Sequence, residues 1–455
     1  MSATARLAEF VVKTALADCP DAAVAQVRRA TLDTLGVMLA GAAEPAAAAV
    51  RAVIRAEGGT PLCTVVGTSL RTAPTWAALA NGTAGHAHDF DDTNFVLLGH
   101  PSVPLLATAL ACAEAETTDG ASIVLGYLVG FEVSAALGLA LNPDHYKRGW
   151  HATATIGTLG CAAAACRILG LDAGQTRHAL GLAASLASGL KENFGSMTKP
   201  FHAGHAARNG VFAAMLAREG FTASDTALEG RQGHAAAFSQ TTLSPEVFDG
   251  LGQRWQLVTS GLAVKPYPSC ALTHPAIDAL LELRTRHGLH ASVVDDVEVG
   301  VNDVVPDVLQ HEHPGNALER KFSMQFCAAA ALATGRVDMA CFEDGPVRDA
   351  ATRELMSRVR MVVDRNLPPG LEQNAWSRVT VRLRDGQTLA SPPRGASGHP
   401  DQPLTDAQLR DKFLGCAAPV LGPDEAEALA DQVAHLEDVP DVRALTSRLV
   451  GPRES

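Results

Sequence analysis

Residues 293–302, VVDDVEVGVN, are where the texture of this 455-residue chain changes. Val297, Val299 and Val301 alternate with Glu298 and Gly300, the two-residue period of a strand with one buried face. VRMVVD (359–364), SRVTVRLRDG (377–386) and QTLASPP (387–393) repeat the signal, and RDGQ supplies a hairpin turn between the last two. Helical patterns at 274–286 and 321–334 lie among these strands, so the segment from about Lys265 to Pro393 reads as α+β.

Upstream, the period is different. Leu7, Phe10, Val11, Thr14 and Ala15 recur at helical spacing, and Val24, Val27, Leu32, Leu35 and Val37 continue the rhythm. The spacing predicts helices over 5–18, 21–41, 46–56, 73–86, 102–116, 121–139, 151–169, 173–190 and 201–219, with LCTVVG (62–67) the one strand-like run among them. Beyond Gly398 helices return, one opened by Thr405 as N-cap in PLTDAQLRDKF and another near 438–449. The fold class is therefore mainly α: a large all-helical domain made from 1–264 and 396–455, interrupted at 265–395 by a smaller α+β domain or lid.

Composition narrows the function. Hydrophobic residues make up 47 % of the chain and charged ones 19 %, as expected of a globular protein, and the net charge of −12 disfavours binding to nucleic acid or an anionic membrane. The nine cysteines show no CxxC and sit mostly in apolar runs, which predicts reduced, buried thiols. The first residues lack a basic region followed by a clean apolar one, so no signal peptide is expected, and no apolar run reaches the ~18 residues of a membrane span. A cytoplasmic location follows as an expectation.

Against this background 86–102, HAHDFDDTNFVLLGHPS, concentrates titratable groups. His88 and Asp92 would share a face if the preceding helix ran that far. His100 precedes Pro101 and the start of the next helix, where the dipole disfavours an imidazolium and favours bound anions. The arrangement recurs: His151 opens the Ala-rich helix, Lys199 stands before Pro200, and His274 stands before Pro275. If these four basic side chains converge, they form a pocket suited to a small polycarboxylate. His202 and His205 either line it or occupy a polar helix face, and Lys191 and Glu192 read as surface charges.

Two other classes compete. HAHDFDDT offers His86, His88, Asp89 and Asp92 as ligands for a divalent ion in a hydrolase, although Lys199 beside a metal would be electrostatically wasteful. A non-catalytic helical scaffold would make the same residues structural. No phosphate loop, dinucleotide fingerprint or serine-hydrolase elbow is present.

HDFDDT, GHPS, GWHATATIGTLGCAAAA, TKPFHAGHAARNG, KPYPSCALTHPAIDAL and KFSMQF, in that order, resemble the MmgE/PrpD family over nearly the whole chain. That family includes 2-methylcitrate dehydratases, cis-aconitate decarboxylases and iminodisuccinate epimerases. The resemblance implies a helical domain with an α+β lid, a homodimer, and no metal or organic cofactor. It also implies that Asp89, Thr93, His100, His151, Lys199 and Lys265 line the pocket. Cys270 stands where the decarboxylases have a histidine, and Phe326 where they have a lid-helix tyrosine, while TKPFHAG and KPYPSCALTH are similar to the epimerase-like branch.

The shared chemistry has a physical basis. Removing a proton from carbon next to a carboxylate builds charge on that carboxylate, and pre-positioned cations lower the barrier. Lys199 and Lys265 are candidates for that role, His100 or His151 for the base, Asp89 for orienting or activating it, and Cys270 for a second acid or base. Thr93 and His274 are expected to bind substrate.

Overall fold

A computed structural model describes residues 2–343, 345, 347, 349–370 and 374–451. Helices dominate, and most begin and end within a few residues of where the apolar period predicts: Asp21–Gly41, Pro45–Glu57, Pro74–Gly85, Ser102–Glu116, Gly120–Leu141, Ala152–Ile168, Ala173–Leu186 and Thr198–Arg218. The first, Ala3–Lys13, is shorter than expected because Thr14 leaves the helical region and its hydroxyl caps the Phe10 carbonyl. The helix expected to reach 190 stops at Leu186, where Ala187 turns extended.

Gly120–Leu141 is apolar on every side, and it lies among other helices with nearly all its residues buried. It is also the one described helix long and apolar enough by itself to cross a membrane, with 89 % of its most apolar window buried inside the protein. Thr198–Arg218 packs along both Pro74–Gly85 and Ala152–Ile168. The first of these contacts needs two glycines, since a Cβ on Gly204 would come within 2.2 Å of the Leu79 carbonyl oxygen and one on Gly82 within 2.6 Å of the Gly204 Cα. Gly204→Ala therefore loses stability by about 1–3 kcal/mol, the usual cost of overpacking, although alanine is the better helix former. Urea unfolding at neutral pH measures it.

The strands form a four-stranded sheet in the order Val359–Val363, Val294–Val301, Ser377–Leu383, Thr388–Ala390. The first pair is parallel and the other two antiparallel. Val297, Val299 and Val301 are buried with Val379 and Val381, while Asp296 and Glu298 face outward to Arg360 and Arg382. Helices His274–His287 and Met324–Thr334 accompany the sheet, the second opened by the Ser323 side chain rather than at 321. The LCTVVG run contributes only Cys63–Thr64, paired with Arg71–Thr72.

Buried apolar side chains gather into two main clusters. One draws on residues 3–262 together with 413–449, the other on 270–389. We propose the division 1–264, 265–395 and 396–455 as the domain reading of these two cores. Thr405 caps Asp406–Leu421 through a reciprocal box with Gln408. The helix expected over 438–449 is only the turn Arg443–Thr446 with short 3₁₀ segments around it, and Pro423–Val433 forms an additional helix. All nine cysteines are free, and only Cys341 is not fully buried.

Candidate active site

Four helix ends meet at one point. His86 caps the C-terminus of Pro74–Gly85, and His151 caps the N-terminus of Ala152–Ile168. His100 and Pro101 lead into Ser102–Glu116, and Lys199 is the second residue of Thr198–Arg218. The first of these helices does not run on through HAHD, so the condition for His88 and Asp92 to share a face is not met. It ends at Gly85, and the chain turns through Asp89, whose φ of 51° places it in the left-handed region that aspartate tolerates better than most residues. His88 and Asp92 consequently diverge: the His88 ring lies 3.3 Å from the Ala40 carbonyl oxygen, and Asp92 accepts a hydrogen bond from the Ser102 hydroxyl.

The loop that carries Asp89 is held from several sides. Lys412, from the C-terminal helix, pairs with buried Asp33 at 2.6 Å and donates to the Phe90 carbonyl at 2.7 Å. Lys321 donates to the carbonyls of His88 (2.9 Å) and Pro268 (3.0 Å). Thr93 and Ala263 exchange backbone hydrogen bonds of 2.9 and 2.8 Å, which brings the segment bearing Lys265 alongside. The His100 backbone N–H donates to Thr153 Oγ1 at 2.9 Å, and the His151 N–H to the Gly189 carbonyl at 3.0 Å.

These restraints bring Lys199 and Lys265 onto one carboxylate. Lys199 Nζ lies 2.6 Å and Lys265 Nζ 3.1 Å from Asp89 Oδ1, and Lys265 also donates to the Asp89 carbonyl at 2.7 Å. Burial by itself would raise the Asp89 pKa, but Lys199 and then Lys265 outweigh it and hold the carboxyl far below its usual range. Lys199 further donates to His86 Nε2 at 2.8 Å. His86 Nδ1 is 2.9 Å from both oxygens of Asp91, and His100 Nδ1 is 3.3 Å from Asp91 Oδ2. His100 Nε2 is 3.7 Å from Asp89 Oδ1, and His151 Nδ1 meets His202 Nδ1 at 3.1 Å. Burial is the leading cause that lowers the pKa of His86 (to about 4), His100, His151 and His202 (to about 4), so these imidazoles are neutral near pH 7. The positive charge of the pocket therefore comes from the two lysines.

A partly open cavity lies beside this centre. Asp89, Thr93, His100, His151, Lys199, Lys265 and Cys270 all line it. Asp89 Oδ2 and Thr93 Oγ1 are buried without a hydrogen-bond partner among the described residues. Apart from Asn94, the rest of the wall is apolar or aromatic and includes Phe95, Leu98, Tyr146, Phe194, Leu272 and Phe322. Burial, then the neighbouring Asp89 charge, pushes the Cys270 thiol up to about 11, so it is protonated at neutral pH.

Some expectations need correction. His274 does not line the cavity: it is buried behind it, with Nε2 3.1 Å from the Ser269 carbonyl oxygen, because Pro275 starts the helix in a direction that turns this ring inward. Phe326 packs against Phe342 in the α+β core, and the aromatic that this region brings to the cavity is Phe322, four residues earlier. His202 is buried beside His151, not on a polar face. Lys191 lies 3.7 Å from the centre of the Tyr146 ring and donates to the Tyr146 carbonyl.

Asp91, Tyr146 and Lys321 belong to the site beyond the residues expected from the sequence. Asp91 and His86 are five residues apart, a spacing that no regular period brings together.

A metal reading fits poorly. Ligand-type atoms of His86, Asp89, Asp91 and His100 lie within 4.8 Å of one another. However, Lys199 already occupies the acceptor sites of His86 and Asp89, and a divalent ion there would lie close to two ammonium groups.

Fold and cavity together define a class: a mainly helical protein of two cores, with a buried centre of lysines, a carboxylate and neutral imidazoles at their junction. The chain belongs to the MmgE/PrpD family, whose N-terminal domain model matches residues 5–246 and whose C-terminal domain model matches 267–438. It is 30 % identical to a cis-aconitate decarboxylase of Mus musculus over 95 % of this chain and 90 % of that protein. It is 32 % identical to the one from Homo sapiens over 84 % and 81 %, respectively. A cis-aconitate decarboxylase-like protein of Aspergillus oryzae is 26 % identical over 98 % and 97 %.

Proposed function

We propose that this protein is an enzyme that removes a proton from the carbon next to a carboxylate of a small di- or tricarboxylic acid, without a metal or organic cofactor. The observation that carries the reading is the sharing of one buried carboxylate oxygen by Lys199 and Lys265 at 2.6 and 3.1 Å, beside neutral imidazoles at the wall of a cavity.

In this reading a substrate carboxylate docks against the Lys199 and Lys265 ammonium groups and the Thr93 hydroxyl. As the proton leaves, charge develops on that carboxylate, and the lysines stabilise it where little water screens them. His100 takes the proton on Nε2, with His151 as the other candidate base, and Asp89 orients the assembly. Cys270, a neutral thiol on the cavity wall, is the acid that returns a proton from another direction.

We favour epimerase-type turnover of the iminodisuccinate kind, with dehydration of the 2-methylcitrate kind second. Cys270 supports this order, since it stands where the decarboxylases carry histidine. The names of the relatives support decarboxylation as the remaining alternative.

Proton NMR of EDTA-treated protein with candidate polycarboxylates in D2O separates the three. Deuterium next to the carboxylate with stereochemical scrambling marks an epimerase, a new vinyl signal a dehydratase, and loss of CO2 a decarboxylase. Under the epimerase reading, Cys270→Ala retains exchange at the carbon but inverts it on the order of 10²-fold more slowly, the usual scale for losing a general acid. Equal loss of exchange and inversion would remove Cys270 from this role. Recovery of any of these reactions only on adding a divalent ion would contradict the metal-free reading, and absence of all three with or without the ion would contradict proton abstraction.

A further inference from the structure

Asp91 is fully buried, lies outside the cavity wall and touches no position a substrate would occupy. Its surroundings are nevertheless specific. His86 Nδ1 sits 2.9 Å from each of its oxygens and His100 Nδ1 3.3 Å from one, while the two rings meet edge to face with centroids 4.4 Å apart. The other face of His86 decides the protons. Its Nε2 lies 2.8 Å from Lys199 Nζ, and an ammonium can only donate. Nε2 of His86 must therefore be the acceptor, so its ring proton is on Nδ1 and points at Asp91. His100 Nδ1 lies 3.3 Å from Asp91 Oδ2 without completing a hydrogen bond, and a proton there is favoured because a lone pair would face the carboxylate, which leaves the His100 Nε2 lone pair on the cavity side.

We propose that Asp91 is a positioning residue that sets the Nδ1–H tautomer of two histidines at once. Through His86 it holds the Lys199 ammonium against Asp89, and through His100 it presents a base. This rests on the proton-abstraction reading for its consequence but not for its geometry. When His100 Nε2 accepts the substrate proton, the electron pair of the broken C–H bond moves onto the substrate carboxylate facing Lys199 and Lys265. The imidazolium formed has its Nδ1 3.3 Å from the Asp91 carboxylate, whose charge stabilises it. The other titratable groups facing this trio are Asp89, Lys199, Lys265 and His151, with Asp92 and Asp33 behind it.

The test combines nitrogen NMR with kinetics. In the wild-type chain labelled with ¹⁵N-histidine, assigned through His86→Gln and His100→Gln, both rings should give the shift pattern of the Nδ1–H tautomer at pH 7.5. An Nε2–H pattern for either ring overturns the proposal, and this measurement needs no substrate. In Asp91→Asn the lost charge makes an imidazolium less favourable. The acid limb of the kcat/KM profile should move to lower pH, and kcat should fall on the order of 10²–10⁴-fold, the range for a misdirected general base, with KM changed only a few-fold. A merely structural role would lower the amount of folded enzyme without moving the limb, and an unmoved limb in folded Asp91→Asn contradicts the proposal. Correct tautomers without turnover of any polycarboxylate would instead count against the proton-abstraction reading alone.

Discussion

Lys199→Met is expected to reduce kcat/KM by on the order of 10³-fold or more, because it removes a cation that acts at three points. Its ammonium contacts Asp89 at 2.6 Å and His86 Nε2 at 2.8 Å, and it borders the cavity where a substrate carboxylate would gather charge. Without it, Asp89 keeps only Lys265 as a close cation, and breaking one side of a buried pair usually costs about 3–5 kcal/mol in stability. Activity should therefore fall together with the melting temperature, and activity per folded molecule, normalised by circular dichroism, isolates the chemical part. Lys199→Arg should not restore it. The phenyl rings of Phe194 and Phe322 lie 5.5 and 5.4 Å from the ammonium, and a planar guanidinium is not a substitute for a point charge in that space. Wild-type turnover in Lys199→Met would remove this residue from the mechanism.

Acid unfolding should be steep and should begin close to neutral pH. Burial, the leading cause in each case, lowers His86, His88, His202 and His234 to about 4 and His145 and His274 to about 3. In the unfolded chain these six titrate near 6.5. Below that pH the unfolded chain binds protons that the folded one does not, so the stability they contribute is present above about 6.5 and is lost as pH falls towards 4. Two carboxyls act in the opposite direction: burial raises Asp92 to about 8 and Glu132 to about 7, so the folded state is the one that takes up their protons on acidification. Burial also lowers His100, His151 and His205 and raises Asp33, so the imidazoles outnumber the carboxyls, and each net proton taken up by the unfolded chain is worth about 1.4 kcal/mol per pH unit. Urea midpoints measured from pH 8 to 4.5 should fall sharply below pH 6. His234→Gln, outside the cavity wall, should shift the loss to lower pH. A flat profile would mean that these rings are already protonated in the folded protein.

How much of this could be read from the sequence depends on whether a feature is periodic. Val297, Val299 and Val301 declare a strand because their alternation is local, and the Thr405 cap with Gln408 declares a helix start for the same reason. Pro423–Val433 was equally legible. It has proline at its first position, acids in its first turn, and Ala426, Leu429, Ala430 and Val433 on one face, although it is not among the expected helices.

The site was legible in part, because His100, His151 and Lys199 all stand at helix starts, a local signal. Their convergence depends on the helix crossings, which no local pattern reports. Asp91 escaped because its contact with His86 requires a turn through a left-handed residue. His274 carried the same local signal as Lys199, yet its helix points the ring away from the cavity and towards the Ser269 carbonyl. Position before a proline thus marked helix starts correctly without saying which side chains face the site.

The central claim is that Lys199 and Lys265 receive a substrate carboxylate while a neutral imidazole faces the neighbouring carbon. A crystal structure of the protein soaked with a slowly reacting polycarboxylate, after EDTA treatment, tests it most directly. One carboxylate is expected within about 3 Å of both lysine Nζ atoms, with His100 Nε2 or His151 facing the adjacent carbon at close contact. A polycarboxylate bound outside this cavity, or a metal ion retained between His86, Asp89 and His100 with the lysines turned away, would contradict it.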